Sequence, residues 1–105
     1  MQVILSGSIG RAVSTTNTLL PDGSAGNLIS EVPLRVRIAE AVSDWYLLRF
    51  TDPALVKAAQ FIVKGAAAGI VGDLAFEDWV DENQVRRSKP IVTVSDLQLE
   101  QLPSV

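Results

Sequence analysis

The sequence contains no cysteine and no histidine, and aromatic residues make up only 6% of its 105 positions. These absences exclude disulfides, thiol catalysis, the usual zinc sites and imidazole acid–base chemistry. The glycine-containing stretch 65–72 is not a phosphate-binding loop, because neither a Lys-Ser/Thr pair nor a helix start follows it. We therefore expect a protein that is not an enzyme and that uses no metal and no cofactor.

Long apolar runs are also missing, and positive charge is scarce. No segment approaches the roughly 20 apolar residues that cross a bilayer, and the N-terminal apolar run lacks the basic start of a signal peptide. We expect no membrane association and a location in the cytoplasm or an organelle stroma. The net charge of -3 argues against a large phosphate-binding surface, because nucleic-acid affinity rests mainly on Lys and Arg.

What is present is enough apolar material for one packed domain over residues 1–105, since 48% of the residues are hydrophobic. Alternation of apolar and polar residues predicts five strands. They cover residues 2–9, 34–38, 45–50, 68–79 and 91–99. Residues 14–27, rich in Ser, Thr and Asn, predict a loop or a frayed hairpin, and Asp81-Glu82-Asn83 predicts the tip of a long hairpin.

A single helix is predicted after the third of these strands. Asp52 can cap its first turn, and Pro53 suits its first position. An apolar stripe continues to Ile62, and Lys64-Gly65 predicts the end after about three turns. One helix between strands 3 and 4 of an all-β chain predicts a five-stranded OB-fold barrel.

Three sequence patterns resemble the single-stranded DNA-binding protein (SSB) family. The first is Val3-x-Leu5-x-Gly7-x-Ile9-Gly10, and the second is Asp44-Trp45-Tyr46. The third is Lys64-Gly65 followed at the family's spacing by Gly72, Leu74 and Trp79. The chain is most similar to short, divergent SSB-like proteins of cyanobacteria and plastids. It departs from the family at Phe50, which follows Trp45 by five residues instead of six, so that a regular strand places the two rings on opposite faces.

The resemblance implies binding of single-stranded DNA in replication, repair or recombination by a homo-oligomer, with a tetramer expected before a dimer. RNA binding on the same groove is a further option that the sequence does not distinguish from DNA binding, because base stacking and phosphate contacts do not detect the 2′-hydroxyl. A binder that tolerates any sequence needs exposed aromatic rings for bases and cations for phosphates.

The predicted nucleic-acid site combines two tryptophans with six of the nine basic residues. Trp45 and Trp79 align with base-stacking positions of the family, whereas Phe50 and Phe76 are predicted to belong to the core. The predicted phosphate contacts are Arg35, Arg37, Arg49, Arg86, Arg87 and Lys89. If the strands that carry them adjoin, Arg35, Arg37 and Arg49 flank Trp45, while the others lie across the hairpin from Trp79.

An alternative function remains open on the same fold. The chain can serve as a protein-interaction subunit with weak or no nucleic-acid binding. The acidic net charge and the position of Phe50 favour this alternative.

Overall fold

A computed structural model describes residues 1–100, and almost all of its regular structure is β. The elements are β1 (Gln2–Ile9), β2 (Ser14–Leu19), β3 (Ala25–Ala39), β4 (Val42–Phe50), α1 (Pro53–Ala59), β5 (Ala67–Val80) and β6 (Arg86–Glu100). Residues 101–105 of the predicted domain lie outside the described part. Among the described residues, no helix is long and apolar enough to span a membrane.

The strands form one closed sheet in the order β1-β5-β6-β4-β3-β2. It closes where the end of β1 pairs with β3, through Ser8 opposite Arg35 and Ile9 opposite Leu34. Gly7 makes this approach possible, because a side chain there would overlap the backbone carbonyl of Arg35. The glycine of the first sequence pattern therefore has a direct role in closing the sheet.

The prediction of five strands is wrong by one. Residues 14–19 form β2, which pairs with the first part of β3 from Ser14–Glu31 to Leu19–Ala25. The frayed-hairpin interpretation was the correct one, although β2 is exposed along its whole length. Because of this additional strand, the helix lies between the fourth and fifth strands.

The core is made by inward-facing side chains of β1, β3, β4, β5 and β6 together with the helix and the turn that follows it. On β3, Val32 and Leu34 are buried, while their neighbours Glu31 and Arg35 face outward. Phe50 is fully buried, as predicted. The other buried apolar residues of this cluster are Ile9, Leu48, Val56, Ala59, Ile62, Ala68, Ile70, Val92 and Val94.

The helix begins as predicted and ends early. The Asp52 carboxylate accepts a hydrogen bond from the Ala54 amide at 2.9 Å, and Pro53 occupies the first turn. The predicted end at Lys64-Gly65 is wrong, because α1 stops at Ala59 after about two turns. The amides of residues 60, 61 and 62 each bond to the carbonyl three residues earlier, which tightens the chain into turns and brings Ile62 into the core.

The second half of β5 and the first half of β6 extend away from the core as a two-stranded arm (residues 76–90). Strand β6 pairs in parallel with β4 only from Leu47–Ile91 to Arg49–Thr93. In the arm, β5 and β6 pair only with each other among the described strands. The prediction that Phe76 belongs to the core is wrong: it lies on the arm and is 64% exposed, because no third layer covers the arm there.

Candidate nucleic-acid interface

Four neighbouring strands present a continuous outer face to solvent. Paired residues on adjacent strands project to the same side of a sheet, and residues two apart on one strand share that side. The pairs Arg35–Trp45, Arg49–Thr93 and Glu77–Lys89 therefore place their side chains on one surface. This outer face consists of the odd-numbered residues 31–37 of β3, 45–49 of β4, 73–79 of β5 and 87–93 of β6.

Trp45 lies on the outer face with 52% of its surface exposed. The atoms Cζ3 and Cη2 of its indole fill the space that a side chain at Gly10 would occupy, so the ring is supported from below by backbone. Five residues later, Phe50 points into the core. The shortened spacing therefore has the predicted consequence of placing the two rings on opposite sides of β4.

Arg35 and Arg37 adjoin Trp45 on β3. Arg35 is directly opposite Trp45, and its Nε donates a hydrogen bond to Ser43 Oγ at 3.0 Å. Neither arginine forms an ion pair with any residue in the range 1–99. Both also line a shallow hollow of about 550 Å³ between β1, β3 and β5, in whose lining no carboxylate of residues 1–99 takes part. Within that range, this is a region of unpaired positive charge on a chain that is acidic overall.

Trp79 lies on the arm, 45% exposed, with Arg87 opposite it. The Nζ of Lys89 is 6.0 Å from the ring centroid, at the outer limit of a cation–π contact. The Nε of Arg87 is 2.9 Å from Asp81 Oδ2. Trp79 therefore has cations beside it, one of which is already paired with a carboxylate.

Asp81 organises the tip of the arm. Its Oδ1 accepts hydrogen bonds from the amides of Asn83 and Val85, both at 2.9 Å. The hydrogen bond from Arg87, followed by those from the two amides, lowers the pKa of the Asp81 carboxyl below its ordinary value. Arg87 thus stabilises the predicted turn in addition to facing Trp79.

Arg49 lies on the outer face between the two tryptophans, and two carboxylates bind it. Its Nε is 2.9 Å from Glu31 Oε2, and its Nη1 is 3.0 Å from Glu77 Oε2. Burial alone would lower the pKa of the Arg49 guanidinium, but the hydrogen bonds to Glu77 and Glu31 outweigh it and raise the pKa. Arg49 therefore shares the outer face with Trp45, as the parity of β4 predicts, but it is bound by carboxylates.

Arg86 is the one predicted residue that the outer face does not include. It pairs with Val80, and even-numbered arm residues project to the side opposite Trp79. Its Nη2 is 3.7 Å from Asp78, in a highly exposed contact. The structure thus brings seven of the eight predicted residues onto one face and separates Arg86 from them.

Glu31 and Glu77 were not identified from sequence as the ion-pair partners of Arg49. One signal was available: Glu77 and Trp79 are two residues apart on one strand and so share a face. Glu31 carried no such signal, because the predicted strand began at Leu34, whereas β3 begins at Ala25.

Sequence comparison finds relatives among cyanobacteria. "Single-stranded DNA-binding protein 1" of Synechocystis is 31% identical over 80 residues, which cover 71% of this chain and 66% of that protein. The chain belongs to the single-stranded DNA-binding protein family. "Single-stranded DNA-binding protein 1" of Nostoc is 35% identical over 57 residues, or 53% of this chain. That alignment spans about half the length of the Nostoc protein, 48%. No family model matches the chain.

Solved SSB structures share the fold at low sequence identity. The mitochondrial single-stranded DNA-binding protein of S. cerevisiae superposes with a TM-score of 0.75 at 13% identity, covering 94% of this chain and 93% of that one. A Plasmodium falciparum SSB in complex with ssDNA gives 0.73 at 17% identity, covering 95% and 94%. The chain is thus an OB-fold protein of the SSB family, with a closed sheet, one short helix and one strand more than we predicted.

Proposed function

We propose that this protein binds single-stranded DNA with little sequence preference and without catalysing a reaction. Bases stack on Trp45 and Trp79, while Arg35, Arg37 and Lys89 contact the phosphates. The observation that carries the proposal is the placement of two half-exposed indoles on one outer face, with Arg35 opposite Trp45 and Arg37 diagonal to it, neither of them ion-paired with residues 1–99. The names of the cyanobacterial relatives and the DNA-bound Plasmodium structure support the same ligand.

Titration with oligo-dT tests this proposal. Tryptophan fluorescence should be quenched, because stacking places a base against each indole, and the affinity should fall as salt rises. Titration with oligo-U under the same conditions compares RNA with DNA. A folded sample that shows no quenching at low salt would refute the proposed function.

The number of cations available for phosphates predicts how steeply the binding affinity falls with salt. Of the six predicted phosphate contacts, three are bound by carboxylates, which leaves Arg35, Arg37 and Lys89 free of ion pairs with residues 1–99. Since each phosphate neutralised on a single strand contributes a slope of about -0.7, three contacts give a slope of about -2 in log K against log salt. The double variant Arg35→Ala/Arg37→Ala should reduce that slope to about -0.7 and weaken binding at every sequence.

The alternative function, a protein-interaction subunit, is supported by the carboxylates that bind Arg49. Glu31 and Glu77 on the outer face, and the net charge of -3, favour a protein-interaction subunit with weak nucleic-acid affinity. Replacing Arg35, Arg37 and Arg49 together with alanine separates the two functions. Loss of oligonucleotide binding supports the leading proposal, whereas the alternative leaves no binding to lose.

We also propose a homo-oligomer, with a tetramer favoured over a dimer, and a role in DNA replication, repair or recombination. A domain of this size buries little surface alone and gains stability from association. The mass of the protein in solution tests the oligomeric state, and it should be measured alongside the titrations.

A further inference from the structure

The Glu31–Arg49–Glu77 cluster occupies the middle of the outer face, between the two indoles. Arg49 is opposite Thr93 of β6, and Glu77 is opposite Lys89 of the same strand. The Arg49–Glu77 contact therefore crosses β6 at Ile91, which lies midway between Thr93 and Lys89. Although Ile91 belongs to the outer face by parity, it is only 3% exposed. A nucleic-acid strand that runs from Trp45 to Trp79 must pass over this cluster.

The two carboxylates hold Arg49 in different ways. Glu31 is its direct cross-strand partner on β3, and 33% of the Glu31 side chain is exposed. Glu77 reaches Arg49 from β5, beyond an intervening strand, and 49% of its side chain is exposed. Ion pairs between such exposed groups are weak, so Glu77 is the partner that a competing anion displaces more easily.

A DNA phosphate is such a competitor. Guanidinium groups bind carboxylates and phosphates with the same planar pairs of N–H donors. As long as both carboxylates remain, however, the cluster carries one net negative charge and repels a phosphate. The cation nearest the centre of the site is therefore unavailable unless one carboxylate leaves.

We propose that Glu77 is an intramolecular competitor of the DNA phosphate for Arg49 and thereby limits the affinity of this chain for single strands. This inference rests on the proposed function. When a strand binds, the Arg49–Glu77 ion pair breaks, a phosphate–Arg49 ion pair forms, and the Glu31 contact remains. Because Glu77 lies on the arm two residues before Trp79, the same exchange releases a contact that ties the arm to the sheet.

Glu77→Gln tests the proposal, since it keeps the shape of the side chain and removes its charge. Affinity for oligo-dT should rise about threefold to fivefold, which corresponds to one exposed ion pair. The salt slope should become steeper by about 0.7, because in the unmodified protein the displaced Glu77 carboxylate takes up a cation and offsets the one that the phosphate releases on reaching Arg49. Asp96→Asn is the matched control: it removes the same charge from an exposed position of β6 outside the cluster, and it should change affinity by less than about 1.5-fold at 150 mM salt.

A double variant shows whether the gain acts through Arg49. In an Arg49→Gln background, Glu77→Gln should give a clearly smaller gain in affinity, because only the repulsion by the carboxylate is removed and no guanidinium is freed. A gain of equal size there, or one that Asp96→Asn reproduces, overturns the proposal. If the unmodified protein binds and Glu77→Gln binds no better, this inference fails while the proposed function stands. If neither the unmodified protein nor Glu77→Gln binds, both this inference and the proposed function fail. Binding seen only for Glu77→Gln supports the competition and refutes the proposed function of the native chain.

Discussion

The two long hairpins of this protein differ in the chemistry that holds them. In the β2–β3 hairpin (residues 14–31), only Asp22 in the turn and Glu31 at the base are charged, whereas the arm (residues 76–90) carries four carboxylates and three basic side chains. The β2–β3 hairpin is fixed to the helix by neutral groups: Gln60 Nε2 donates to Thr15 at 3.1 Å and to the buried Ser30 at 3.0 Å. The arm is fixed by ion pairs, of which Arg49–Glu77 reaches the sheet.

This difference separates a structural hairpin from a responsive one. Neutral hydrogen bonds are little affected by salt or by an approaching polyanion, whereas exposed ion pairs are screened and exchanged. Trp79 lies on the hairpin whose ionic contacts a nucleic acid can replace, whereas the β2–β3 hairpin, which has few charges, supports the closed sheet. The comparison therefore predicts that changes in the two hairpins have effects of different kinds.

The largest expected effect on binding comes from removing the aromatic ring of the arm. Trp79→Ala should weaken oligo-dT binding about 5-fold to 150-fold, because stacking on one aromatic ring contributes about 1–3 kcal/mol per base. Leu19→Ala, which truncates an exposed apolar residue of the β2–β3 hairpin, should change affinity by less than about twofold. Equal losses in both variants, measured by fluorescence anisotropy, would remove the functional distinction between the hairpins.

A smaller effect, on stability, is expected at the base of the β2–β3 hairpin. Gln60→Ala removes the hydrogen bonds to Thr15 and Ser30 and should lower the free energy of unfolding by about 1 kcal/mol, or the melting temperature by about 4–8 °C. Lys57→Ala, on α1 just before Gln60, is the control, and its effect should be much smaller. Melting followed by circular dichroism at low and high salt should give the same decrease for Gln60→Ala; a decrease that depends strongly on salt would contradict the neutral character of this contact.

The smallest effect concerns the tip of the arm. Because the pKa of Asp81 is lowered in the folded protein, its contribution to stability is complete above its ordinary pKa near 3.8 and is lost as pH falls through the lowered value. The stability difference between the unmodified protein and Asp81→Asn should therefore be constant near neutral pH and shrink below about pH 4. Thermal melts over this range measure the difference, and one that grows on acidification would contradict the assignment.

Sequence patterns predicted the elements that carry their own local signals. The bounds of β1 were predicted as the structure has them, and Asp52 was identified as the helix cap. Strand β2 was harder, since its Ser, Thr and Asn residues are typical of loops and it becomes a strand only through pairing with β3. The helix was predicted too long, because the apolar spacing continues to Ile62 although the backbone hydrogen bonds change at Gln60.

The arrangement of the candidate site was also predicted only in part. Residue parity placed Arg35, Arg49 and Trp45 together, and the pairing of β3 with β4 agrees. The ion pairs of Arg49 could not be predicted from short-range patterns, because its two partners are separated from it by 18 and 28 positions in the sequence. Short-range patterns predict the face of the sheet on which a charged side chain lies. Whether an opposite charge pairs with it depends on which strands, distant in sequence, become its neighbours in the sheet.

The parallel contact between β4 and β6 starts at Ile91, and the residue before it is Pro90. Proline has no N–H to offer to either neighbouring strand, so an extension of this three-pair ladder toward the arm would lack one donor. Pro90 thus marks the point at which β5 and β6 leave the sheet and continue as a two-stranded arm. The distance of Trp79 from the rest of the sheet therefore depends on a backbone hydrogen bond that proline does not donate.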